Sequence, residues 1–113
     1  MNVAELAPQP STRVLFKLLD FRKVPKIAGC YILSTFNGAI LYIGLSVDLN
    51  KRFQQHLDNP GKIGLTENGK AFWFHFSEYD KNNLPKLERT WLNQYQTTHG
   101  RRPILNKADS PVS

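Results

Sequence analysis

Residues 29–44 read GCYILSTFNGAILYIG. Two apolar runs flank Asn37-Gly38, a strong short-range signal for a hairpin. Both runs are too short for helices and rich in isoleucine, leucine and tyrosine, so 29–35 and 39–44 read as strands. With a two-residue turn, Phe36 lies opposite Ala39, Leu33 opposite Tyr42, and Tyr31 opposite Gly44. Opposed residues share a face, so Tyr31 and Tyr42 are diagonal neighbours. Gly44 adds no side chain, which leaves open space beside the Tyr31 ring. The geometry depends on the turn, because a one-residue change in the loop flips the side chains to the other face. Half-buried strand tyrosines are also ordinary in a sheet. A hairpin needs neither the tyrosines nor Gly29 and Gly44 for its own stability, so the reason for them lies elsewhere in the chain.

Downstream of the hairpin, SVDLNKRFQQHLDN (46–59) carries apolar residues at 49, 53 and 57, which is helical spacing ended by Asn59-Pro60-Gly61. Arg52 and His56 are four apart and share one side of this helix. NPGKIGLTENGK (59–70) reads as a glycine-rich loop, and AFWFHFSEY (71–79) as a third strand with Phe72, Phe74 and Phe76 toward the core. His75 then faces the other side, with Trp73. NLPKLERTWLNQYQTTHG (83–100) reads as a second helix capped by Asn83, with Pro85 in its first turn and Gly100 as its stop. Leu84, Leu87, Trp91, Leu92 and Tyr95 form its apolar stripe, and Glu88 falls inside that stripe. An inward carboxylate is costly unless paired or metal-bound. An ion pair with an arginine such as Arg52 and a metal role would each account for it equally well. RRPILN (101–106) is an extended closing segment.

Upstream, residues 1–10 contain two prolines and read as a loose arm. STRVLFKLLDF (11–21) fits a short helix, with Ser11 as cap and Val14, Leu15, Leu18 and Leu19 as stripe, before Pro25 breaks it. The chain therefore divides into an N-terminal arm with a short helix (1–26), a domain (27–107) and a flexible tail (108–113). The element order of the domain predicts an α+β fold, a small central three-stranded, mainly antiparallel sheet flanked by helices.

At 113 residues, the sequence has room for one domain with a modest core. Its single cysteine, Cys30, excludes an internal disulfide and a cysteine-based zinc cluster. No apolar run approaches the ~18 residues of a membrane span, and the start lacks a signal-peptide layout. A reducing cytoplasm is the default location. Lys and Arg total 15 against 9 Asp and Glu, a net charge of +6, which predisposes the domain toward polyanions.

Taken in order, these residues resemble the GIY-YIG nuclease superfamily, from about Gly29 to Asn106. Gly29-Cys30-Tyr31 matches the first motif and Tyr42-Ile43-Gly44 the second. Arg52 and His56 match the helix arginine and histidine, Glu88 the metal-binding glutamate, and Asn106 the late asparagine. Cys30 stands where isoleucine or valine is usual and should point away from the tyrosines. Ser34 and Leu45 occupy positions where some members carry lysine.

The resemblance implies a metal-dependent endonuclease that hydrolyses DNA phosphodiester bonds. Glu88 would hold one Mg²⁺, with Mn²⁺ able to substitute, and Arg52 would contact the phosphate through its planar fork. Tyr31 is the candidate general base. An unperturbed tyrosine is roughly one part in a thousand phenolate at pH 7, so His56 is expected to help by accepting its proton. Tyr42 would orient water or phosphate, and Asn106 would hold the site together by hydrogen bonds, with Gly29 and Gly44 as structural support. Lys51, Lys62, Lys70, Arg101 and Arg102 are candidate backbone contacts to duplex or branched DNA. No separate base-reading domain fits in the chain, so low sequence specificity is expected. The competing expectation is a catalytically silent nucleic-acid-binding module that keeps the fold. The repair, recombination, restriction and mobile-element roles are not separated by the sequence.

Overall fold

The computed structural model describes residues 1–106, so the expected tail at 108–113 lies outside the described residues. Its strands are β1 (Thr12–Leu15), β2 (Gly29–Ser34), β3 (Ile40–Ser46) and β4 (Trp73–Glu78). Its α-helices are α1 (Leu49–Leu57), α2 (Pro60–Ile63) and α3 (Leu84–His99). The strands form one antiparallel sheet in the order β1-β4-β2-β3. Among the described residues the sheet thus has four strands rather than the expected three.

The hairpin reaches its expected tyrosine register by an unexpected route. Tyr31 pairs with Gly44 and Leu33 with Tyr42, but Ser34 pairs with Ile40, so Leu41 has no opposite residue. At the tip, Thr35 N–H donates to Ala39 O at 3.0 Å and Gly38 N–H to Thr35 O at 3.0 Å. The loop therefore holds three residues, Phe36 to Gly38, not two, and Phe36 does not oppose Ala39. Gly38 takes φ 91°, a value that favours glycine. The odd loop shifts the pairing by one, and the bulge at Leu41 shifts it back. Both tyrosines consequently stay on one face.

The fourth strand comes from the segment read as a helix. Leu18 and Leu19, half of the expected stripe, are 63% and 92% exposed. Val14 and Phe16 are instead buried in strand alternation. Period 3.6 and period 2 overlap over so few residues, and the open edge of β4 needs partners for its backbone groups. Ser11 does not cap a helix; its N–H donates to Ser77 Oγ and its hydroxyl to Phe76 O. A 3-10 helix, Leu18–Lys23, follows β1. Residues 1–10 are not a loose arm either. Asn2 caps a 3-10 turn at Val3–Glu5, Val3 and Leu6 are buried, and Pro8 O accepts from Trp91 Nε1 of α3 at 2.7 Å.

Strand alternation sorts the core onto two faces. Tyr31, Leu33, Tyr42, Phe74 and Phe76 pack with Leu49 and Phe53 of α1. Cys30, Ile32 and Ile43 pack on the opposite side with Leu84, Leu87, Trp91 and Tyr95 of α3. Asp48 caps α1 by accepting from Lys51 N–H at 3.0 Å. Asn83 precedes α3 but its side chain makes no cap; it reaches Asp80 instead. Gly100 ends α3, its N–H donating to Gln96 O at 2.7 Å.

Candidate active site

Gly44 lies against both tyrosines, and Gly29 against β4 and α1. A Cβ on Gly44 would stand 2.6 Å from Tyr31 Oη and 2.8 Å from Tyr42 Cε1. The space expected beside the Tyr31 ring is thus taken by the ring itself, which lies across the glycine. A Cβ on Gly29 would stand 2.3 Å from Ser77 O of β4 and 2.7 Å from Leu49 Cδ1. Each glycine permits a close approach: Gly44 lets the tyrosines cross β3, and Gly29 lets β4 and α1 close against β2.

This packing sets Tyr31 in a ring cluster. Its ring stacks on Phe74 at 5.1 Å and on Tyr42 at 5.8 Å between centroids. Tyr31 Oη and His56 Nε2 are 2.6 Å apart, with both residues buried. His56 also meets the Tyr42 ring edge-on at 5.2 Å. A spacing of four puts Arg52 and His56 on the same side of α1, as expected. Arg52 is half-buried, and its Nε donates at 3.1 Å to Oε1 of Gln55, three residues on along the same helix face.

Burial governs the charges here. It pushes His56 down to about 3, and the Lys62 and Arg52 cations add to the effect. His56 is therefore neutral, and the Nε2 lone pair can accept the Tyr31 O–H. Burial holds Tyr31 well above its ordinary value and pushes Tyr42 up to about 12, with Arg52 opposing in both cases. At neutral pH both phenols keep their protons. Tyr42 Oη is buried and, among the described residues, meets no partner at hydrogen-bond geometry, although the Tyr31 hydroxyl is near enough to influence it. An orphaned hydroxyl beside an arginine suits an oxyanion or a polarised water.

Glu88 arrives from α3, on the other side of the sheet, and is half-buried rather than fully inward. Burial raises its pKa, with Arg102 and Arg89 opposing. Its charge is felt by Tyr31, Tyr42 and Cys30. Among the described residues it has no salt bridge to Arg52, so the ion-pair alternative is not what balances it. No group of three or more His, Cys, Asp or Glu forms a metal cage among the described residues. A single carboxylate still fits magnesium, which keeps several waters and takes only one or two carboxylates beside phosphate oxygens.

Asn106 grips the outer edge of β3 beside the motif. Its Oδ1 accepts from Ile43 N–H and its Nδ2 donates to Ile43 O, each at 2.8 Å. Cys30 points to the α3 face as expected, its Sγ–H donating to Leu84 O at 3.4 Å. Burial pushes that thiol up to about 12, so it is inert. His75 is buried on the same face and bonds Ser34 Oγ at 2.7 Å.

The basic residues divide. Lys62 comes from α2, inside the stretch read as loop, and its Nζ lies 4.6 Å from the Tyr42 ring centroid. Lys51 lines a shallow cleft with Arg52, Gln55 and Ser46. Arg101 and Arg102 are exposed, and Arg102 acts on Glu88. Lys70 instead lines a separate cavity with Phe16, Lys17, Ala71 and Phe72. Asn59 followed by Pro60 is the signal that α2 begins there, since it supplies a cap and a proline in the first turn.

A family model described as the GIY-YIG catalytic domain matches residues 27–102. The chain belongs to the GIY-YIG family, the nuclease superfamily its motifs resemble. UvrABC system protein C of Mycoplasma genitalium is 32% identical over 77 residues, which cover 66% of this chain and 13% of that protein. The protein of the same name from Methanosarcina barkeri is 31% identical over 61 residues, 50% of this chain and 12% of its own length. A UPF0213 protein of Pectobacterium carotovorum is 39% identical over 59 residues, 51% of this chain and 59% of its own. The chain thus spans only a small part of the UvrABC relatives it matches. No helix among the described residues is long and apolar enough to cross a membrane.

Proposed function

We propose that the chain is a metal-dependent endonuclease that hydrolyses phosphodiester bonds of duplex or branched DNA with low sequence specificity. The observation that carries this reading is the 2.6 Å contact between Tyr31 Oη and His56 Nε2, beside Arg52 and within the field of Glu88. Tyr31 passes its proton to Nε2, and the phenolate takes a proton from water, which attacks phosphorus. Arg52 offers its fork to the non-bridging oxygens, and the unpartnered Tyr42 hydroxyl orients water or phosphate. Mg²⁺ held by Glu88, or Mn²⁺ in its place, would neutralise phosphate charge and stabilise the leaving oxygen. Among the possible roles, DNA repair fits the likeness to UvrABC system protein C.

Lys51, Lys62, Lys70, Arg101 and Arg102, within a net charge of +6, supply backbone contacts, so affinity should fall steeply as salt rises. The test is a cleavage panel of plasmid, branched and single-stranded DNA with Mg²⁺, Mn²⁺ or EDTA. Cutting of plasmid or branched DNA with either metal and none with EDTA supports the reading. Salt-sensitive binding without cutting under any condition replaces it with a silent binding module.

A further inference from the structure

We propose that the cavity between Phe16 and Phe72, rimmed by Lys17 and Lys70, holds an unpaired base of the bound strand, so that the substrate is DNA with unpaired bases near the cut rather than flush duplex. This deepens the proposed function and rests on its DNA-binding reading.

The cavity forms where β1 and β4 run past their ladder. Leu15 pairs with Trp73, and one step further Phe16 N–H donates to Phe72 O at 2.9 Å. Phe16 and Phe72 are thus opposite one another and share the face of Phe74 and Phe76. Lys17 N–H turns back onto Leu15 O at 2.9 Å, which ends the strand there. Phe16, Lys17, Lys70, Ala71 and Phe72 enclose about 250 Å³. Phe16 is buried, Phe72 is half-buried, and both lysines are exposed. The volume falls below the ~300 Å³ at which sites for drug-sized ligands begin and suits one flat ring system.

The lining selects the occupant. A base packed on aromatic side chains is held without sequence-specific hydrogen bonds. Both charged groups at the rim are cations, and neither has a salt bridge among the described residues. An apolar side chain of a protein partner would use the walls and leave the two ammonium groups unanswered. A nucleotide uses both, because its base is joined to a phosphate. Phe36 extends the aromatic surface outward: it is 66% exposed and meets Phe72 edge-on at 5.0 Å. Paired bases stay stacked inside a duplex, so only an unpaired one is free to enter.

The cavity also lies close to the site. Phe74, two residues along β4 from Phe72, stacks on Tyr31 at 5.1 Å. Two residues of strand span about 7 Å, which puts the cavity on the order of 10 Å, or about three nucleotide steps, from the Tyr31 ring.

The experiment is a fluorescence anisotropy titration in EDTA, so that binding is read without cutting. The probes are a short oligothymidylate and an abasic strand of the same length and charge. The native chain should bind the oligothymidylate about 10-fold or more tighter, the worth of a stacked base. Phe72→Leu removes the ring but keeps apolar bulk, and Ala71→Leu fills the cavity. Each should lose most of that ratio while its melting shows it folded. Lys70→Met should weaken both strands by the same factor and lower the salt slope by about one. Equal binding of the two strands by the native chain overturns the proposal, and this comparison needs no variant. So does a ratio left intact in folded Phe72→Leu and Ala71→Leu. Salt-sensitive binding with no preference for bases refutes the base site alone. Failure to bind any strand at low salt refutes the DNA reading along with it.

Discussion

Tyr31 Oη and His56 Nε2 face each other at 2.6 Å although their residues lie 25 apart in sequence, one on a strand and one on a helix. Neither group is charged at neutral pH, because burial holds the phenol protonated and the imidazole neutral. The contact is a donor meeting an acceptor that orients the phenol, and moving the proton onto the imidazole is uphill in the free protein. Tyr31→Phe removes the donor and keeps the ring packing on Phe74 and Tyr42. It should lower cleavage by about 10²-fold or more, with DNA affinity little changed. Single-turnover rates at saturating DNA check this, and near-native turnover would remove Tyr31 as the base.

Stability should fall in acid because of two buried histidines. His56 is pushed down to about 3 and His75 to about 4, both chiefly by burial. Below the ordinary histidine value of ~6.5, the unfolded chain binds protons that the folded chain refuses. Their contribution is fully present above that value and is lost as pH falls toward about 4 and then 3. Each histidine contributes a slope of about 1.4 kcal/mol per pH unit inside its window. Urea unfolding at pH 7, 5.5 and 4.5 should show the decline, and His75→Gln should flatten it. A flat profile between pH 7 and 4.5 would contradict the assignment.

The elements that hold the site were legible where periodicity was long or the turn chemistry strong. α3 runs sixteen residues with a clear stripe, and Asn37-Gly38 marks the hairpin. β1 was not legible. Its four residues match a helical stripe as well as a strand, and its partner β4 lies some sixty residues away. The tyrosine register emerged correctly only because the three-residue loop and the Leu41 bulge cancel. Tyr31, Tyr42, Arg52 and His56 could be put on common faces by counting. Lys62 could not, because its position depends on how the Asn59-Pro60 turn folds back onto α1.

Gly44→Ala should disturb fold and site together. The added methyl would begin 2.6 Å from Tyr31 Oη, on a strand packed on both faces. Overpacking of this kind costs about 1–3 kcal/mol. Tyr31 must tilt away, so the contact with His56 should lengthen and cleavage should fall even well below the melting temperature. A variant with native melting and native rate would show that the ring does not need the bare backbone.

Asn106→Asp tests the grip on β3. The substitution keeps the acceptor for Ile43 N–H but sets an acceptor against Ile43 O, where Nδ2 donated. The loss should be about 1–3 kcal/mol, as for a half-buried acceptor left unpaired and repelled. Chemical denaturation measures it. Unchanged stability would mean that the closing segment does not hold the strand edge.

The most direct test of the account is Glu88→Gln, followed by plasmid cleavage and by melting with and without Mg²⁺. Glutamine keeps the shape and removes a carboxylate whose pKa burial raises. Without metal the variant should melt at or above the native temperature, since the half-buried charge costs stability. Mg²⁺ should raise the native melting temperature and leave the variant's unchanged, and the variant should not cut. A Glu88→Gln protein that unfolds, or one that cuts plasmid at the native rate, would contradict a metal-dependent nuclease built on this residue.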